Sequence, residues 1–241
     1  MREHFDVLIL IARPAAGKSE VIDYLKRVPE AERRRRFHIG PFREIDDFPM
    51  LWAWFEEDAI LQDMGLERLH TDPDGCFLFR ELWDLLIRRI CLEYRKLLAE
   101  TPNLHERTSV ILEFSRGSEH GGYRGAFAQI DREILGRAAV LYIDVSYAES
   151  LRKNRKRFDP SRAHSILFHA LPDEKLERLY REVDWEELAG ADREYLSVGT
   201  ERVPYAVMPN EDDVTTAGGE ALGGRLEETL GRLWASYTRS G

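Results

Sequence analysis

Lys18 and Ser19 close the run Ala12-Arg13-Pro14-Ala15-Ala16-Gly17-Lys18-Ser19, a spacing suited to polyphosphate. The lysine supplies a charge for phosphate oxygens, and the hydroxyl beside it supplies a ligand for Mg²⁺. The glycine before them lets backbone N–H groups turn together toward an anion. This is the Walker A, or P-loop, pattern with Ala12 where glycine is usual. Pro14 has no N–H, so that part of the loop serves shape rather than phosphate contact. The expected nucleotide-binding residues are Ala15, Ala16, Gly17, Lys18, Ser19 and Glu20. The competing reading is a chance match on a strand–loop–helix turn, and the flanking segments weigh against it.

Three other groups have types that do chemistry. Glu113 ends the apolar run Ser109–Phe114, where a carboxylate is costly unless it is paired or near a metal. Arg116 follows it, and a purely structural Glu113–Arg116 pair is the alternative. Arg152, Arg155 and Lys156 fall at i, i+3 and i+4 on one helix face. Cations gathered there in an acidic protein need an anionic counterpart, either a ligand or acidic neighbours such as Glu149. Glu44, Asp46 and Asp47 precede Trp52, Trp54 and Phe55, aromatics that either stack on a flat ligand or fill a core. Asp47 also reads as a helix cap, with Pro49 in the first turn. Arg80 and Arg124 read as surface residues or as holders of an anionic ligand. His120 has no convincing partners for a metal site.

The elements that must position these residues alternate strand and helix. Phe5–Ala12 is a continuous apolar run, the mark of a strand covered on both faces. Val21, Leu25 and Val28 follow at helical spacing, and Pro29 ends that helix. Further strands are expected over 36–40, 109–114, 138–145 and 203–208. Helices are expected over 77–99, 126–135, 147–158, 173–188 and 220–237, with the four-arginine run Arg33–Arg36 on the solvated surface. This order argues a parallel sheet with helices on both faces and a ligand at the carboxyl ends of the strands.

The 241 residues suit one α/β domain, 1–241, with an insertion; 43% are hydrophobic and 33% charged, as in a globular protein. A net charge of −9 argues against general affinity for nucleic acid or anionic membrane. No run approaches the roughly 20 apolar residues that span a bilayer. Met1–Asp6 leads into a strand without a leader pattern, and Cys76 and Cys91 read as reduced core thiols. The expected location is cytoplasmic. Oligomeric state is not legible.

On its P-loop and order of elements, the chain resembles the P-loop kinases of the nucleoside and nucleoside-monophosphate kinase group. The resemblance implies a three-layer α/β/α P-loop NTPase fold with a parallel sheet of about five strands and a helical lid. It implies ATP and Mg²⁺ as cofactors and a small-molecule phosphate acceptor of the nucleoside or nucleotide kind. Segment 147–172 would be the lid, with Arg152 and Arg155 closing on the transferring phosphoryl group; 36–100 would be the acceptor-side insertion. Glu113 would hold Mg²⁺ with Ser19 or position the acceptor, and Arg116 would contact phosphate. Asp47, with Glu44 and Asp46, would lie near the acceptor hydroxyl, and Asn210 would fall in the adenine-contacting loop. The rivals are a P-loop NTP hydrolase and a nucleotide-binding regulatory module without phosphotransfer.

Overall fold

Every residue of strand β1, Val7–Ala12, is buried, and its side chains alternate between two cores. Val7, Ile9 and Ile11 enter one, while Leu8, Leu10 and Ala12 enter the other. A strand covered on both faces must lie inside a sheet between helical layers. The computed structural model, which describes residues 3–157 and 171–239, places it there.

After β1 come helices α1 (Lys18–Arg27) and α2 (Glu30–Phe37), then strand β2 (Phe42–Asp46). Helices α3 (Asp47–Asp63) and α4 (Glu81–Glu100) lead to β3 (Ser109–Phe114). Helices α5 (Gly122–Gln129) and α6 (Arg132–Leu135) precede β4 (Ala138–Asp144), and α7 (Tyr147–Arg157) follows it. The remainder is α8 (Asp173–Tyr180), α9 (Trp185–Ala189), β5 (Tyr195–Val198), β6 (Glu201–Pro209), α10 (Val214–Ala217) and α11 (Gly219–Arg239). The sheet order is β2-β3-β1-β4-β6-β5. All neighbours are parallel except β5, which pairs antiparallel with β6 at the edge. The α/β class and parallel core match the expectation; the sixth strand is an addition. No helix among the described residues is long and apolar enough to cross a membrane.

Several expected elements move. Residues 36–40 do not form a strand: α2 runs to Phe37, and the strand is Phe42–Asp46. Arg33 explains the difference. It is buried and donates to the carbonyls of Leu25, Val28 and Gly40, ending α1 and fixing the turn after α2. Arg33 is therefore not on a solvated surface, whereas Arg35 is exposed. Arg36 bridges Glu32, Glu220 and Glu227 and so ties α2 to α11. Helix α4 starts at Glu81 rather than 77, and residues 173–188 divide into α8 and α9. Of the lid range, 158–170 lies outside the described residues.

Candidate active site

The loop after β1 is shaped by two left-handed residues, Ala15 (φ 56°) and Gly17 (φ 113°). Gly17 is required twice over. Its φ disfavours a side chain, and a Cβ there would come within 2.4 Å of the Thr215 hydroxyl. The loop is held from beneath. Asn210 Nδ2 donates to the Ala16 carbonyl and to Thr215 Oγ1, both at 2.8 Å, and Ser150 Oγ donates to the Pro14 carbonyl at 2.8 Å. Arg13 reaches across to the carbonyls of Val145, Tyr180 and Arg181. The cradle therefore stands on contacts from β4, α7, α8 and the loop after β6.

Asn210 is thus a fully buried support of the loop, and it is absent from the lining of the cavity described below. Its side-chain bonds go to Ala16 and Thr215, which leaves any contact with a base to the backbone of this loop.

At the carboxyl end of the sheet, β2 and β3 run in register with Asp46 beside Glu113. Lys18 Nζ donates to Ser115 Oγ at 2.7 Å and lies 3.8 Å from Glu113 Oε1. Burial raises the Glu113 pKa, only partly opposed by the Lys18 charge, and Asp47 raises it further. Burial likewise pushes Asp46 up to about 8, helped by the negative charges of Glu113 and Asp47. Such crowding of carboxylates around Lys18 makes a site that gains from a cation.

The sequence placed Asp47 as the helix cap, but Asp46 is the cap of α3, accepting from the Phe48 N–H at 3.0 Å. Asp47 instead takes Arg116 Nη1 at 2.6 Å, both side chains being buried. Arg116 also donates to the carbonyls of Ser115 and Trp83, and its guanidinium lies over the Trp83 ring. The expected alternative partner of Arg116, Glu113, is not its partner. Glu44 is taken by Lys26 at 2.9 Å.

These residues border a cavity of about 510 Å³ that opens from the P-loop toward the β2–β3 side. Lys18, Ser19, Asp46, Asp47 and Glu113 line it at the P-loop, and Arg116 lines it too. Trp52 and Phe55 line it, whereas Trp54 is in the core, stacked on His70. Arg80 lines it and Arg124 does not. Cys76 is half-buried on its wall rather than in the core, unlike the buried Cys91.

Arg152 and Arg155 do not line the cavity. Arg152 pairs with Glu149 and Asp213, and Arg155 with Asp173, the acidic-neighbour alternative for this helix. Arg157, one turn on, does line it. The sequence reading missed Ser115, Phe77, Trp83 and the α8 residues Lys175, Arg178 and Tyr180. Lys175 and Arg178 sit at i, i+3, a readable signal that the acids Asp173, Glu174 and Glu177 obscured.

No protein-family model and no curated protein matches the chain. Among solved structures, a gluconokinase from Sinorhizobium meliloti 1021 aligns over 98% of this chain and 94% of its own, at 15% identity and a TM-score of 0.40. A structure described as APE1195 aligns over 95% of this chain and 98% of its own, at 16% identity and a TM-score of 0.42. Likeness this distant leaves the chemistry to the chain's own residues.

Proposed function

We propose that this chain is an ATP- and Mg²⁺-dependent phosphotransferase that acts on a small-molecule acceptor. One observation carries the reading above the others: the P-loop opens directly into a cavity large enough for a second small molecule, with paired carboxylates at the junction. A hydrolase needs room only for water at that junction, and a binding module needs no acceptor pocket.

Mg²⁺ is commonly held by one or two carboxylates together with phosphate oxygens and water. Ser19, Glu113 and Asp46 are the oxygen donors around Lys18 that fit it. The bound ion would neutralise phosphate charge as transfer proceeds. Lys18 is the cation for the β- and γ-phosphates and is already oriented by Ser115. Burial and the neighbouring carboxylates raise the Asp46 pKa in the free protein; a bound cation would favour its carboxylate form, which would orient the acceptor hydroxyl. In this reading Arg116 and Asp47 shape the acceptor wall as a pair, and Arg152 and Arg155 reach phosphate only if α7 moves from its described position.

The decisive measurement is calorimetric titration with ATP·Mg²⁺, followed by phosphoryl transfer to a panel of nucleosides and sugars. Lys18→Ala is expected to abolish transfer and to weaken ATP binding while the far-ultraviolet spectrum is unchanged. Unchanged ATP affinity in that variant would make the loop a structural turn.

A further inference from the structure

The outer end of the cavity holds three features that the phosphotransfer reading leaves unused. The first is a row of rings along one wall. Trp52 lies 6.4 Å from Phe55, Phe55 is stacked 6.2 Å from Phe77, Phe77 meets Trp83 edge-on at 4.6 Å, and Trp83 is stacked on His120 at 3.8 Å. All of them line the cavity. Rings in such a row offer flat apolar surface to a flat apolar ligand.

The second is an unsatisfied donor. His120 is buried, and its Nδ1 faces the Gly117 N–H at 3.4 Å. That N–H makes Nδ1 the acceptor, so the ring proton resides on Nε2. Burial, Arg116 and Arg178 hold the His120 pKa down at about 3, which keeps the ring neutral. Nε2 is buried with no hydrogen-bond partner among the described residues. A buried N–H without an acceptor is costly and calls for an explanation.

The third is positive charge on the cavity wall, with Arg80 next to His120. Arg80 lines the cavity and lies over Gly121, where a Cβ would come within 2.5 Å of Nη2. Among the described residues it has no carboxylate partner. Among the described residues, Lys175 Nζ, at the Phe55 end of the row, donates to the carbonyls of Asp74 and Gly75. By contrast, Arg178 is paired with Glu119. These groups are separated from the phosphate end by a chain of contacts, Lys18 to Ser115, Arg116 to Trp83, and Trp83 to His120.

We propose that the acceptor is a flat, apolar ring system bearing an oxyanion at the end remote from the group that receives phosphate. The ring lies along the row from Trp52 to His120, and the oxyanion takes the His120 Nε2–H and faces Arg80. The remoteness clause rests on the phosphotransferase reading; the binding site itself does not.

Binding is therefore tested on the nucleotide-free protein by calorimetry with defined probes. 1-Naphthoate carries ring and oxyanion, 1-naphthalenemethanol the ring alone, and acetate the oxyanion alone. Naphthoate is expected to bind at least about tenfold more tightly than either partial probe. 1-Naphthyl phosphate, run beside it in Lys18→Ala to silence the P-loop, separates a carboxylate preference from a phosphate preference. His120→Phe keeps the stacked ring and removes the donor; Arg80→Gln removes an exposed charge and leaves the core untouched. Each is expected to weaken naphthoate by about tenfold and to leave naphthalenemethanol unchanged. Equal binding of the alcohol and the acid overturns the proposal, as does wild-type naphthoate affinity in Arg80→Gln. If ATP·Mg²⁺ fails to bind while naphthoate binding depends on His120 and Arg80, the phosphotransferase reading fails and this site stands.

Discussion

Asp46 and Glu113 are neighbours across two parallel strands, and one consequence of their crowding is measurable as a pH dependence. The folded-state pKa of Asp46, about 8, stands above its ordinary value of 3.8. Between those values the folded protein holds a proton that the unfolded chain has lost. This contribution to stability is therefore full below about pH 4 and declines as pH rises toward 8. Asp46→Asn is expected to flatten that slope in urea denaturation series run from pH 5 to 8.5. Because a cation requires the carboxylate form, apparent Mg²⁺ affinity is expected to climb with pH over the same interval. A pH-independent affinity would remove Asp46 from the metal site. The Arg116–Asp47 pair gives a second expectation at this scale. Both side chains are buried, so Asp47→Ala leaves a guanidinium without its counter-charge. The expected loss is about 3–5 kcal/mol, with much of it recovered when Arg116→Met is added.

Among elements, α3 and the segment after it line one side of the cavity, and Asp58 joins them. It is fully buried on α3 and accepts from the N–H groups of Leu69, His70 and Thr71 and from the Thr71 hydroxyl. Burial alone would raise its pKa; the Thr71 hydroxyl and these backbone donors overcome that and lower it to about 2. Its contribution is therefore present above its ordinary value of 3.8 and lost as pH falls through about 2. Asp58→Asn is expected to cost about 2–3 kcal/mol and to speed amide exchange at residues 69–71. Exchange rates unchanged there would mean the segment is held by its apolar contacts instead. The root of α7 is joined to the P-loop in the same way. Lys153, buried, donates to Thr215 Oγ1 at 2.9 Å and pairs with Asp213 at 2.7 Å, and Thr215 sits against Gly17. Lys153→Met is expected to weaken ATP binding through the loop's shape, without contact between Lys153 and the nucleotide.

For the whole molecule, ligand binding and stability are linked through the cavity between P-loop and helices. ATP·Mg²⁺ at a hundred times its Kd is expected to add about 2.7 kcal/mol. For a chain of this size that is a shift of roughly 5–10 °C in Tm. Lys18→Ala should remove the shift. Replacing Arg152 and Arg155 together by Ala separates the two readings of α7. If the helix closes over the site, kcat falls on the order of 10³-fold while the KM for ATP changes little. If the pairs with Glu149, Asp213 and Asp173 are all these arginines do, kcat is retained.

How much was legible without coordinates follows from the range of the interactions. The strand, loop and helix around Lys18 were readable because each is specified within a few residues: a continuous apolar run, a Gly-Lys-Ser, a 3.6-residue period. The parallel core follows from the same local alternation. The second strand was misplaced because Arg33 is buried and directs its guanidinium to carbonyls of α1, of the residue after it and of the turn after α2, a use of an arginine that a polar run does not announce. Asp46 and Asp47 are adjacent and chemically alike, and no local rule separates them. One caps a helix and faces Glu113 because β2 lies in register with β3; the other takes Arg116 from 69 residues away. The ring row from Trp52 to His120 joins α3, α4 and the loop after β3, so its chemistry exists only once the sheet has brought those elements to one edge. Charge–charge and ring–ring contacts act over a few ångströms in space, whereas sequence patterns report neighbours along the chain. The strand, the Gly-Lys-Ser loop and the helix after it were therefore legible in the sequence, whereas the supports of that loop and the lining of the cavity beside it came only with the tertiary structure.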